Sequence, residues 1–194
     1  MSLTGKSELQ TEIFAVEEEL MRLREKISKL KQKLPRQEVK DYSFKTWSGK
    51  PVKLSQLFGQ KKDLILIHNM GRICAYCTMW ADGFNGYRQH LEDRAALVVN
   101  SPDAPPVQKK FATGRGWKFK MVSSQGTSFI KEMGFEGEKG DPWPGVSTFH
   151  KKNGKIYRVS YASFGEGDNF CAVWHLLDLL AEGRNGWVAK FKYK

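Results

Sequence analysis

The run "DLILIH" at residues 63–68 is followed within six residues by "CAYC", which sets Cys74 and Cys77 two residues apart. A run this short and this rich in apolar side chains predicts a buried strand rather than a helix. The stretch after Cys74 predicts a helix running to about Arg94, so the cysteine pair falls where a strand hands over to a helix start. Unpaired backbone N–H groups and the positive end of the helix dipole favour thiolate over thiol at such a place. A second cysteine three residues on lies one turn away, within reach of the first. The rest of the chain must therefore supply a sheet and the layers that cover it.

The flanking segments do so. "AALVVNSP" (95–102) and "FKMVSS" read as further strands, and "PPVQKKFATGRG" as a helix with Pro at its start and Gly after its end. "TSFIKEMGF" predicts a helix, and "GVSTFHKKNGKIYRVSY" a hairpin turning at Asn153-Gly154. "YSFKTWSGKPVKLSQLFG" reads as a strand, a turn at Gly49 and a short helix. "FCAVWHLLDLLAEGR" predicts a final amphipathic helix with Phe170, Val173, Trp174, Leu177 and Leu180 on one side. Strand–helix alternation followed by a hairpin predicts an α/β fold, a central mixed sheet flanked by helices.

Ahead of this domain, Ile13, Val16, Leu20, Leu23, Ile27, Leu30 and Leu34 step by three and four in turn until Pro35. That is a heptad seam. It is read as an N-terminal helical arm that dimerises the chain, the alternative being an amphipathic helix on the domain's own surface. The expected organisation is an arm over 1–35, the domain over 36–186 and a basic aromatic tail over 187–194. In the tail, Trp187, Ala189, Phe191 and Tyr193 alternate with Val188, Lys190, Lys192 and Lys194, the pattern of an edge strand.

The net charge of +11 on 194 residues is scattered through doublets such as Lys61-Lys62, Lys109-Lys110 and Lys151-Lys152. Nucleic-acid binding calls for a concentrated stripe and is not expected. No apolar run is long enough to span a bilayer, and "MSLTGKSELQTE" lacks the apolar core of a secretory signal. A cytoplasmic protein with no membrane partner is expected. Three cysteines are too few for a disulfide scaffold and suit intracellular redox or metal chemistry.

"LILIHNMGRICAYC", the strands and helices after it and "GVSTFHKKNGK" resemble the thioredoxin fold. More closely, "DYSF", "LSQLF", "CAYCTMWADGFNG", "VVNSPDAPPVQKKFATGRGWKFKMVSS", "YASFGEG" and "HLLDLLAEGR" resemble an uncharacterised thioredoxin-like family, a domain of unknown function. The resemblance implies a thiol–disulfide oxidoreductase with Cys74 as nucleophile and Cys77 as resolving thiol, needing no cofactor or metal. Its partner would be a disulfide-containing protein or a small thiol. Where thioredoxins place a buried acid, six residues before the first cysteine, this chain has His68, a candidate proton relay. Where they place a cis-proline it has Ser147, preceded by Val146, so a trans bond is expected. Tyr76, Trp80 and Trp143, with Val146 and Ser147, are the expected substrate-binding rim, and Asp82 is assigned to the surface.

Three rivals stand beside this reading. Cys171 and His175, four apart on the last helix, would complete a zinc set with Cys74 and Cys77. A thiol peroxidase would carry Thr three residues before its reactive cysteine, where this chain has Gly71. A non-enzymatic binding or assembly module would use the arm and the tail.

Overall fold

Helix α1, Glu8–Gln32, starts at a reciprocal cap: Ser7 Oγ accepts from the Gln10 backbone N–H at 3.3 Å, and Gln10 Oε1 accepts from the Ser7 N–H at 2.9 Å. No residue of this helix is buried, and Pro35 follows its C-terminal cap at Lys33. In the computed structural model, residues 7–193 are described. They fall into two units, one ending at Arg36 and one beginning at Gln37. Residues 1–6 of the expected arm and Lys194 of the expected tail lie outside the described residues.

The second unit is built on eight strands: β1 (Gln37–Val39), β2 (Ser43–Lys45), β3 (Pro51–Lys53), β4 (Asp63–His68), β5 (Ala96–Ser101), β6 (Lys120–Ser123), β7 (Gly145–Lys152) and β8 (Lys155–Ser163). They lie in the order β1-β8-β7-β4-β5-β6-β2-β3. β4, β5 and β6 are parallel, while β7 runs antiparallel to β4 and forms the expected hairpin with β8. Asn153 (φ 52°) and Gly154 (φ 76°) turn that hairpin, both in the left-handed region that such a tight turn requires.

Helices α2 (Leu54–Leu57), α3 (Ala75–Gly86), α4 (Arg88–Arg94), α5 (Pro105–Arg115), α6 (Phe129–Glu132) and α7 (Ala172–Leu177) complete the unit. The pleat of β4 sorts the core into two layers. Ile67 faces one layer with Cys77, Trp80 and Phe84 of α3, Ala112 of α5 and Trp174 of α7. Leu64 and Leu66 face the other, with Leu54 and Leu57 of α2 and Phe129 of α6.

Three local expectations are corrected. The helix after the cysteines does not run unbroken to Arg94 but breaks at Tyr87. Asn85 and Gly86 are weak helix formers, and Asn85 Oδ1 accepts from the Lys118 backbone N–H at 2.7 Å. The last helix has six residues, with only Trp174 buried and Leu180 exposed. Left-handed Gly183, Asn185 and Gly186 turn the following chain away from a helical path. The tail forms no strand. Instead Trp187 meets Trp174 edge-on at 5.8 Å, Tyr193 stacks on Trp187, and Phe191 meets Phe111 of α5 edge-on. The alternation was real, but side chains rather than backbone hydrogen bonds use it.

Candidate active site

β4 delivers the chain to the loop 69–73, and three contacts shape that loop. Asn69 donates through Nδ2 to the Cys77 carbonyl at 3.2 Å, and its Oδ1 accepts from the Gly71 N–H at 2.8 Å. Asp103, from the loop between β5 and α5, accepts from the Arg72 N–H at 2.9 Å. Gly71 has φ +96°, and a Cβ there would lie 2.7 Å from the Asp103 carboxylate. Only glycine fits this turn.

The turn sets Cys74 as the N-cap of α3, where Sγ accepts from the Cys77 backbone N–H at 3.0 Å. Both cysteines are free thiols; Cys74 is half-buried and Cys77 buried. A hydrogen bond from the Cys77 thiol, aided by the backbone N–H groups of Cys77 and Tyr76, lowers the Cys74 pKa to about 7, against the opposing effect of burial. Cys77 moves the other way, because it gives its hydrogen to Cys74 and is itself desolvated. Cys74 is therefore the thiol of the pair that ionises more readily near neutral pH, and Cys77 is held as thiol. The pair is divided into a half-buried, more acidic thiol and a buried, less acidic one.

Aromatic groups close over the pair. The Tyr76 ring stacks on Trp174 at 5.8 Å, and its hydroxyl pKa is raised by a hydrogen bond to Glu166, in the loop after β8. Trp80 is buried against Phe164 at 5.4 Å, and Val146 packs in the same core layer as Cys77. One to two turns beyond Cys74, Met79 and Trp80 of α3 line a cavity of about 410 Å³ with Phe170, Trp187 and Tyr193. Its walls are mainly apolar, and Cys171 lies in one of them.

The other residues of the expected site lie elsewhere. His68 belongs to the opposite face of the sheet, stacked on Phe135 at 3.9 Å and bonded through Nε2 to Ser147 Oγ at 2.9 Å. Side chains alternate along a strand, so His68 and Ser147 share the layer of Leu64 and Leu66, while Ile67 and Val146 face the cysteines. Burial, reinforced by the Arg158 charge, holds His68 neutral. It cannot relay protons to Cys77 from there, and Ser147 cannot line a substrate groove beside Cys74. Every peptide bond among the described residues is trans, including the one before Ser147. Trp143 is 52% exposed, and its indole N–H donates to Asp141 at 3.2 Å.

Asp82 is not simply a surface group, since it pairs with Arg115 and accepts from Trp117 Nε1 at 2.7 Å, tying α3 to α5. The zinc set does not assemble. His175 is exposed and bonds to the Asp168 carbonyl at 3.0 Å, and no three His, Cys, Asp or Glu residues converge among the described residues. Sequence reasoning missed Asn69, Asp103 and Glu166. Asp103 carried a signal, an acid beside the Pro-rich break after β5, and Glu166 lies in the "YASFGEG" block.

Fold and site together define a thioredoxin-like α/β protein with a dithiol at the start of a sheet-facing helix. Residues 6–193 match the family described as "Bacterial protein of unknown function (DUF899)", and the chain belongs to that family. No curated protein matches it. Among solved structures it is similar to the peroxidoxin BcpB of Mycobacterium tuberculosis, at 25% identity over 66% of this chain and 84% of that one, TM-score 0.54. AhpC of Enterococcus faecalis (16% identity; 69% of this chain, 82% of that one; TM-score 0.55) shares the fold. So does reduced Prx3 of Vibrio vulnificus in complex with hydrogen peroxide (14%; 70% and 90%; TM-score 0.56). No helix among the described residues is long and apolar enough to cross a membrane.

Proposed function

We propose that the chain is a thiol–disulfide oxidoreductase of the cytoplasm. The observation that carries this is the hydrogen bond from the Cys77 N–H to Cys74 Sγ at a helix start, with the two thiols driven apart in acidity. In the first step the Cys74 thiolate attacks one sulfur of a substrate disulfide. The S–S bond breaks, one thiolate leaves, and Cys74 is held in a mixed disulfide. Cys77 then attacks Cys74 Sγ, its proton passing to the second departing thiolate, and the Cys74–Cys77 disulfide forms. Two electrons have moved from the protein dithiol to the substrate, and an external thiol returns them.

Peroxide as the oxidant is the second reading, favoured by the peroxidoxin that the chain resembles at 25% identity. It is ranked lower because the position three before Cys74, where a peroxide-ordering hydroxyl would stand, is Gly71, and Asp103 leaves no room for a side chain there.

Cys77→Ser decides between them. With a small disulfide it is expected to stop at a mixed disulfide on Cys74, seen by mass spectrometry, whereas the wild type passes on to the internal disulfide. Accumulation of a Cys74 sulfenic acid with peroxide, and no adduct with disulfides, would move the assignment to peroxidase chemistry.

A further inference from the structure

We infer that α1 pairs with the α1 of a second copy of this chain in an antiparallel coiled coil. The seam residues from Leu9 to Leu34 are between 45% and 65% exposed, and amphipathic helices in proteins draw most of their stability from packing their apolar face. Such a seam is completed by an equivalent seam, and charge decides how the two run. Acids lead the helix (Glu8, Glu12, Glu17, Glu18 and Glu19), whereas Arg22, Arg24, Lys26, Lys29 and Lys31 dominate its second half.

With Ile13, Leu20, Ile27 and Leu34 at a and Leu9, Val16, Leu23 and Leu30 at d, the flanking g positions are Glu12, Glu19, Lys26 and Lys33. The flanking e positions are Gln10, Glu17, Arg24 and Lys31. A parallel pair sets Glu12 against the second copy's Glu17 and Lys26 against its Lys31, both repulsive, and leaves Glu19 with Arg24 as the attractive contact. An antiparallel pair matches the core layers within the helix, Ile13 with Leu30, Val16 with Ile27 and Leu20 with Leu23, and brings Leu9 toward Leu34 just beyond the helix end. The same alignment sets Glu12 against Lys33, Glu19 against Lys26 and Glu17 against Arg24, each occurring twice by symmetry. No like charges meet, and the helix dipoles oppose.

Sedimentation equilibrium of the full reduced chain, as wild type, Lys26→Glu and Glu19→Lys/Lys26→Glu, tests this. The wild type is expected to be a dimer. Lys26→Glu sets glutamate against Glu19 at two symmetric places and should weaken the dimer about tenfold. The double variant should restore it. Within one helix, Lys26→Glu sets an acid beside Arg22 and Lys29 and favours helicity, so helix loss does not imitate the effect. Tighter association of Lys26→Glu would establish a parallel pair and overturn the inference. A monomeric wild type, or a dimer that Lys26→Glu leaves unchanged, would also overturn it.

Discussion

Cys74→Ser is expected to lower the rate of disulfide reduction by on the order of a thousandfold or more, because a serine hydroxyl does not ionise near neutral pH and forms no mixed disulfide. The fold should be unaffected. Cys74 occupies an N-cap, where serine is among the preferred residues and can accept the Cys77 N–H as the sulfur does. Thermal unfolding of the variant should therefore match the wild type while a reductase assay shows the loss. This separates it from Cys77→Ser, which keeps the first chemical step and loses the second. A Cys74→Ser protein that retained a tenth of the wild-type rate would place the nucleophile elsewhere.

Trp174→Ala is expected to cost the second unit about 3–5 kcal/mol, the range for removing a fully buried tryptophan. Trp174 is completely buried on the short α7 and is the surface on which Tyr76, Trp187 and the Arg184 guanidinium rest. One residue thus joins the segment beyond Cys74 to the tail. Denaturant unfolding checks the loss. Because the Tyr76 ring loses its support, Cys74 should also react faster with a bulky alkylating reagent in the folded state. A loss below about 1 kcal/mol would mean that α7 and the tail contribute little to the unit's stability.

Much of this was legible in the chain because the signals were local. A short apolar run, Leu64 to Ile67, before a cysteine pair fixes the order strand, loop, helix start, and Pro105 and Gly116 bracket α5 as expected. His68 shows where local reading ends. Its distance from Cys74 along the chain matches that of a thioredoxin acid, but the face it occupies depends on the pleat and on which side of the sheet α3 covers. Those are properties of the assembled sheet. Ser147 follows His68 to the other layer for the same reason. The tail's alternating aromatics were visible, whereas their partners Trp174 and Phe111 are distant in sequence. Asp103 was the least legible of the site-shaping residues, because its role consists of meeting Gly71 and Arg72 across the sheet's end.

The central claim, that α3 presents an ionised Cys74 backed by a protected Cys77, is tested most directly by alkylating the reduced protein across a pH series and mapping the modified residue by mass spectrometry. Cys74 should react with a midpoint of about 7 while Cys77 and Cys171, both shifted upward by their surroundings, stay unmodified in the folded protein. A midpoint near the ordinary thiol value of about 8.5, or equal reaction at Cys77, would contradict it.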